Sequence, residues 1–151
     1  LLEQGKTKLG RKVLREVIRI KPDNPQSYCL LGDSLAGSGE TSEAVALYSK
    51  ALEKEPDCFP AMVRLAQVLT ASPGANPQAR VQAVQLATRA CDLTNYQRPD
   101  ALLTLSDAYA AAGNLADAVS GAYQALRIAT QSGATEQADV ARSRLQRYGK
   151  Q

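Results

Sequence analysis

The sequence predicts an all-α solenoid of antiparallel helix pairs, and three observations predict it. Aromatics are only 5% of the 151 residues, with one Phe and no Trp. Ala and Leu are abundant instead, which suits helices packed through small side chains better than a sheet of β-branched and aromatic strands. A pattern of about 34 residues recurs along the chain. Within it, small residues return at fixed places, as two helices approaching to about 8 to 10 Å require. With 44% hydrophobic residues, the chain can bury the core of a single domain over residues 1 to 151.

The repeats take the chain in order. Gly5, Gly10, Leu14, Val17 and Pro22 stand 34 residues before Gly39, Ala44, Tyr48, Ala51 and Pro56. Residues 1 to 24 therefore read as a partial repeat, with a turn at Gly5 and a second helix over 8 to 20. In residues 25 to 58, Tyr28, Leu31, Gly32 and Leu35 mark a first helix over 26 to 37, and Ala44, Tyr48 and Ala51 a second over 42 to 54. Gly39 stands at the reversal, where positive φ carries no Cβ penalty. Pro56 ends the second helix, since proline has no amide donor.

Residues 59 to 98 repeat the first half with Met62, Leu65, Ala66 and Leu69, on a helix over 60 to 71. Ala83, Ala87 and Ala90 repeat the second half over 78 to 93. Between them lies an insertion at 72 to 77, Ser72-Pro73-Gly74-Ala75-Asn76-Pro77, whose last two residues form an N-cap and first-turn pair. In residues 99 to 132, Leu102, Leu105, Ser106, Tyr109, Gly113, Ala118, Ala122 and Ala125 fill the slots of residues 25 to 58 at a shift of 74. They predict helices over 99 to 112 and 116 to 130. Residues 133 to 151 then supply a capping helix over 135 to 148. Ala138, Ala141, Leu145 and Tyr148 share its packed face, with Arg142, Arg144 and Arg147 mostly elsewhere.

These residues resemble the tetratricopeptide repeat family, whose pattern is W-x2-L-G-x2-Y, A-x3-F and a closing P. The resemblance covers nearly the whole chain. It departs at the absent Trp, at Gly10 in an Ala slot, and at Asn95 and Thr130 in place of the closing proline. The second half looks like the C-terminal part of a longer bacterial array, in Thr70-Ala71-Ser72-Pro73, Ala90-Cys91-Asp92-Leu93-Thr94, Ala108-Tyr109-Ala110-Ala111-Ala112-Gly113 and Arg144-Leu145-Gln146-Arg147-Tyr148.

The resemblance implies a right-handed superhelix whose concave wall, lined by the first helices, holds an extended or helical segment of a protein partner. The alternative is a structural spacer or self-association module of a larger protein. By analogy the groove slots are Gln26, Cys29, Asp33 and Ala36, then Pro60, Val63, Gln67 and Thr70, then Asp100, Leu103, Asp107 and Ala110. Chaperone-binding relatives clamp a terminal carboxylate with Lys, Arg and Asn at such slots. No cation stands at these, so no carboxylate clamp is expected. Apolar Val63 and Leu103 alternate with acidic Asp33 and Asp107, which favours a segment bearing apolar side chains and Lys or Arg.

Catalysis is disfavoured. His is absent, which removes His-based triads, His metal sites and imidazole acid-base chemistry. No Gly-rich phosphate loop, nucleophile elbow or EF-hand spacing occurs, and no metal or cofactor is expected. Cys29, Cys58 and Cys91 form no CxxC pair; they read as reduced, small apolar side chains. No stretch approaches the roughly 20 apolar residues that cross a bilayer, and Leu1 to Lys6 lacks a signal peptide's basic start. Reduced thiols and no leader point to the cytoplasm; the alternative is a periplasmic place in a membrane-anchored parent.

The net charge of +3 is unevenly spread, with seven basic and three acidic residues in 1 to 24 against two and six in 25 to 58. Lys8, Arg11, Lys12, Arg15 and Arg19 fall at helical spacing and read as a solvated outer face. No aromatics interleave them, so nucleic acid is not an expected partner. If Leu1 to Gln4 are all that stands of an opening helix, Leu9, Val13 and Val17 lose cover, and weak self-association through that end is expected.

Overall fold

The computed structural model describes residues 2 to 72 and 74 to 150, the Leu2 side chain excepted. Its helices are α1 (Leu2–Ile20), α2 (Pro25–Ala36), α3 (Thr41–Lys54), α4 (Phe59–Ala71), α5 (Pro77–Leu93), α6 (Pro99–Ala111), α7 (Leu115–Gln131) and α8 (Thr135–Tyr148). No strand occurs among the described residues. From α2 to α8 every boundary falls within one residue of the sequence reading.

The departure is α1. It begins at Leu2, not residue 8, and passes through Gly5 and Gly10 without a turn. A Cβ at either glycine would meet nothing within 4 Å. Among the described residues no helix lies ahead of α1 for it to pack back onto, and continuing the hydrogen-bond ladder satisfies the backbone there. Residues 2 to 4 are thus its first turn and no separate opening helix, and Leu1 lies outside the described residues.

Side-chain caps set several of the starts. The Asn24 side chain accepts from the Gln26 amide at 3.1 Å, and Asn76 from the Ala79 amide at 2.8 Å, each just ahead of a helix-opening proline. Pro73, within the insertion, lies outside the described residues. Three reversals share one closure: Gly39, Gly113 and Gly133 have φ of 81°, 85° and 72°. The next residue's amide then donates five residues back, Glu40 to Leu35, Asn114 to Tyr109 and Ala134 to Ala129. At the end of α5, Asn95 takes positive φ and Tyr96 donates back to Cys91 at 2.8 Å. Asparagine therefore closes a turn where the repeat pattern has proline.

Within each pair the helices touch through the small slots, and residue sizes compensate across them. A Cβ at Gly32 would stand 2.7 Å from the Tyr48 ring, so the large tyrosine demands glycine opposite. In the third full repeat Ala122 takes the tyrosine slot, leaving room for Ser106. The Ser106 hydroxyl is buried and donates to the Ala118 carbonyl at 2.6 Å.

The pairs stack into two layers. α2 touches α4, α4 touches α6 and α6 touches α8, whereas α1, α3, α5 and α7 contact only their flanking first helices and never one another. The closer layer is the inside of the curve, which places the wall of α2, α4, α6 and α8 on the concave side.

Candidate functional site

Along that wall the residues expected to form the groove fall into different settings. Gln67, Thr70 and Asp107 line a cleft of about 530 Å³ between α4, α6 and α8, together with Thr104, Arg144, Arg147 and Tyr148. Gln26 and Pro60 are exposed in the opening turns of α2 and α4, away from this cleft. Asp100, in the first turn of α6, is taken up by Arg98 at 2.6 Å. Cys29, Val63 and Leu103 are only 2%, 3% and 6% exposed and belong to the core clusters. The apolar half of the expected wall is thus covered, because adjacent first helices close over those positions.

The acidic half is already neutralised. Asp33 accepts from Arg64 Nε and from the Tyr48 hydroxyl, both at 2.8 Å. That hydrogen bond raises the Arg64 pKa. Burial, and then the bond to Asp33, raises that of Tyr48. Asp107 accepts from Arg144 Nε at 2.8 and 3.0 Å, from Arg147 at 2.8 Å and from the Tyr148 hydroxyl at 2.8 Å. The expectation of a wall that attracts Lys or Arg is corrected accordingly: neither carboxylate is left without a cation, and Asp107 has two.

Those cations come from positions the slot pattern did not include. Arg64 follows the slot residue Val63 on α4. Arg144 and Arg147 were expected mainly on the solvated side of the cap, yet α8 turns both onto Asp107. The signal in the sequence was the spacing of Arg144, Arg147 and Tyr148, which puts them on neighbouring faces of one helix turn. What α8 would face was not written in that spacing.

With two guanidinium groups against one carboxylate, the cleft carries net positive charge. Its rim offers more hydrogen-bonding groups: Gln67 Nε2 donates to Thr104 Oγ1 at 3.2 Å, tying α4 to α6. The terminal nitrogens of Arg144 make no hydrogen bond among the described residues. They are left to donate to a second planar acceptor, such as a carboxylate. Burial pushes the thiols of Cys29 and Cys91 up to about 12, with Cys58 adding to the effect at Cys29.

Comparison with known proteins agrees with this architecture. A tetratricopeptide repeat family model matches residues 1–65. The DnaJ homolog subfamily C member 7 homolog of Schizosaccharomyces pombe is 33% identical over 59 residues, which are 39% of this chain and 12% of that protein. The chain thus spans about an eighth of the length of the curated relative it matches. A thermophilic tetratricopeptide repeat protein of Thermus thermophilus superposes with a TM-score of 0.73 at 17% identity, over 95% of this chain and 75% of that one. The type III secretion translocator chaperone SycD of Yersinia enterocolitica gives 0.69 at 16% identity, over 86% and 95%. Likenesses this distant in sequence establish the fold.

Proposed function

We propose that this tetratricopeptide repeat array is a non-catalytic protein-binding scaffold that holds an extended partner segment along α4, α6 and α8, with a carboxylate of that segment on Arg144 and Arg147. The carrying observation is the Asp107 cluster. One carboxylate orients two guanidinium groups beside an open cleft of about 530 Å³, and one cation is left in excess. Gln67, Thr70 and Thr104 supply the neutral donors and acceptors that a peptide backbone needs. The likeness to a secretion chaperone supports a protein as the ligand.

The test is fluorescence anisotropy with short extended peptides that end in Asp or Glu, compared with their amidated or Lys-terminated counterparts. The acidic peptides bind better, and Arg144→Ala with Arg147→Ala weakens them by at least about ten-fold, or 1.4 kcal/mol. Equal affinity for acidic and basic peptides, or no loss in the double variant, overturns the reading.

A further inference from the structure

A second surface lies at the opposite end of the array. α1 packs on α2 through Leu14 and Ile18, while Leu9, Val13 and Ile20 stand 63%, 55% and 64% exposed. At 100° per residue these three fall within about 40° of one another, nearly opposite the packed side. They form one outward apolar stripe.

A slot beside the stripe is covered on the equivalent helix. Gly10 and Val17 occupy the slots that Ala44 and Ala51 hold on α3, where both are fully buried. On α1, Val17 is half-buried, but Gly10 is exposed, and a Cβ there would meet nothing within 4 Å. The small slot that lets two helices approach is present, and the described structure puts no helix on it. A helix laid on the Gly10 end of this slot would also meet the edge of the stripe at Val13, so the occupant that fits is a helix with an apolar ridge.

Charge states the rest of its chemistry. α1 carries six basic and two acidic residues. Of these, Arg11 is engaged by Glu40 at 2.7 Å and Arg19 by Glu16 at 2.5 Å. Lys6 flanks the stripe on one side, Lys8 and Lys12 on the other, and none of the three forms an ion pair among the described residues. Two copies of α1 laid face to face would oppose these lysines, which disfavours a second copy of this chain as the occupant.

We propose that the outward stripe of α1 docks an amphipathic helix whose apolar ridge meets Leu9, Val13 and Ile20 and whose flanking Asp or Glu residues meet Lys6, Lys8 and Lys12. This surface is independent of the cleft at α8. Its apolar part supplies the affinity, while its lysines select acidic helices and make binding salt-dependent.

The test uses two synthetic helical peptides of about 18 residues. They share a Leu ridge, and one is flanked by Glu, the other by Lys. Isothermal titration of the chain should show the Glu peptide binding and the Lys peptide at least about ten-fold weaker. The variant Leu9→Asp with Val13→Asp changes only exposed residues; it should lose the Glu peptide yet keep the affinity of an acidic extended peptide for the cleft. Arg144→Ala with Arg147→Ala should do the reverse. Equal binding of both peptides, or Glu-peptide binding that survives in the α1 variant, overturns the proposal. So does either of two results in the absence of Glu-peptide binding: retention on phosphatidylserine vesicles, or a concentration-dependent dimer removed by the α1 substitutions.

Discussion

At one end of the array, α8 lays Ala138, Ala141 and Tyr148 into the last repeat, where Tyr148 packs with Ala118 and Ala122. At the other end, α1 keeps the same kind of spacing, but the stripe beside its small slot faces outward. The two helices are of similar construction, each amphipathic and rich in basic residues. They differ in what lies against them. A slot in a repeat protein becomes core only when a neighbour fills it, because each unit contacts little beyond the next one.

The largest expected contrast is in stability. Tyr148→Ala empties a buried site and removes a hydroxyl held by Asp107 and Ser106, at an expected cost of about 3 to 5 kcal/mol. Val13→Ala on α1 should stay within about 0.5 kcal/mol. Urea unfolding of both variants checks this, and equal losses would mean that the two ends are built alike.

Glycine substitutions sharpen the comparison. Gly32→Ala pushes a methyl group into the Tyr48 ring and should destabilise by about 1 to 3 kcal/mol. Gly10→Ala, in open space on a helix interior, should stabilise by up to about 1 kcal/mol. Thermal melts of opposite sign are the expected outcome.

A smaller effect is expected at the carboxylate that holds α8. Asp107→Asn leaves Arg144 and Arg147 without an anion, but the site is partly solvated. The cost should be about 1 kcal/mol and shrink with added salt. Hydrogen exchange should quicken in α8 and remain unchanged in α1.

The smallest effect is in alkali. Burial holds the Cys91 thiol near 12, against an ordinary value of 9.0. Its folded form keeps the proton more tightly than the unfolded one, so this stabilisation is complete below pH 9 and is lost as pH rises towards 12. Denaturant midpoints taken across that window should fall, and Cys91→Ala should flatten part of the fall.

The periodic part of the fold was legible in the sequence because fixed slots encode it. Gly39, Gly113, the alanine triplets and Asn76 with Pro77 placed seven helices to within a residue. Gly5 reads as a turn from its repeat slot, yet it lies inside α1, because a glycine alone does not end a helix. The site was less legible. Gln67, Thr70 and Asp107 do line the cleft, but Val63 and Leu103 are sealed between neighbouring helices, and the charge of the wall is set by Arg64, Arg144 and Arg147. Pairing between helices about 30 to 40 residues apart depends on how repeats stack, and a single helix's spacing does not state it.

The most direct test of the binding wall is amide chemical-shift mapping of the whole chain, titrated with an extended peptide ending in an acidic residue. Shifts concentrated at Gln67, Thr104, Ala110, Arg144 and Arg147, with α3 and α5 silent, are the predicted result. Shifts confined to α3, α5 and α7, or to α1 alone, would contradict a concave site closed by α8.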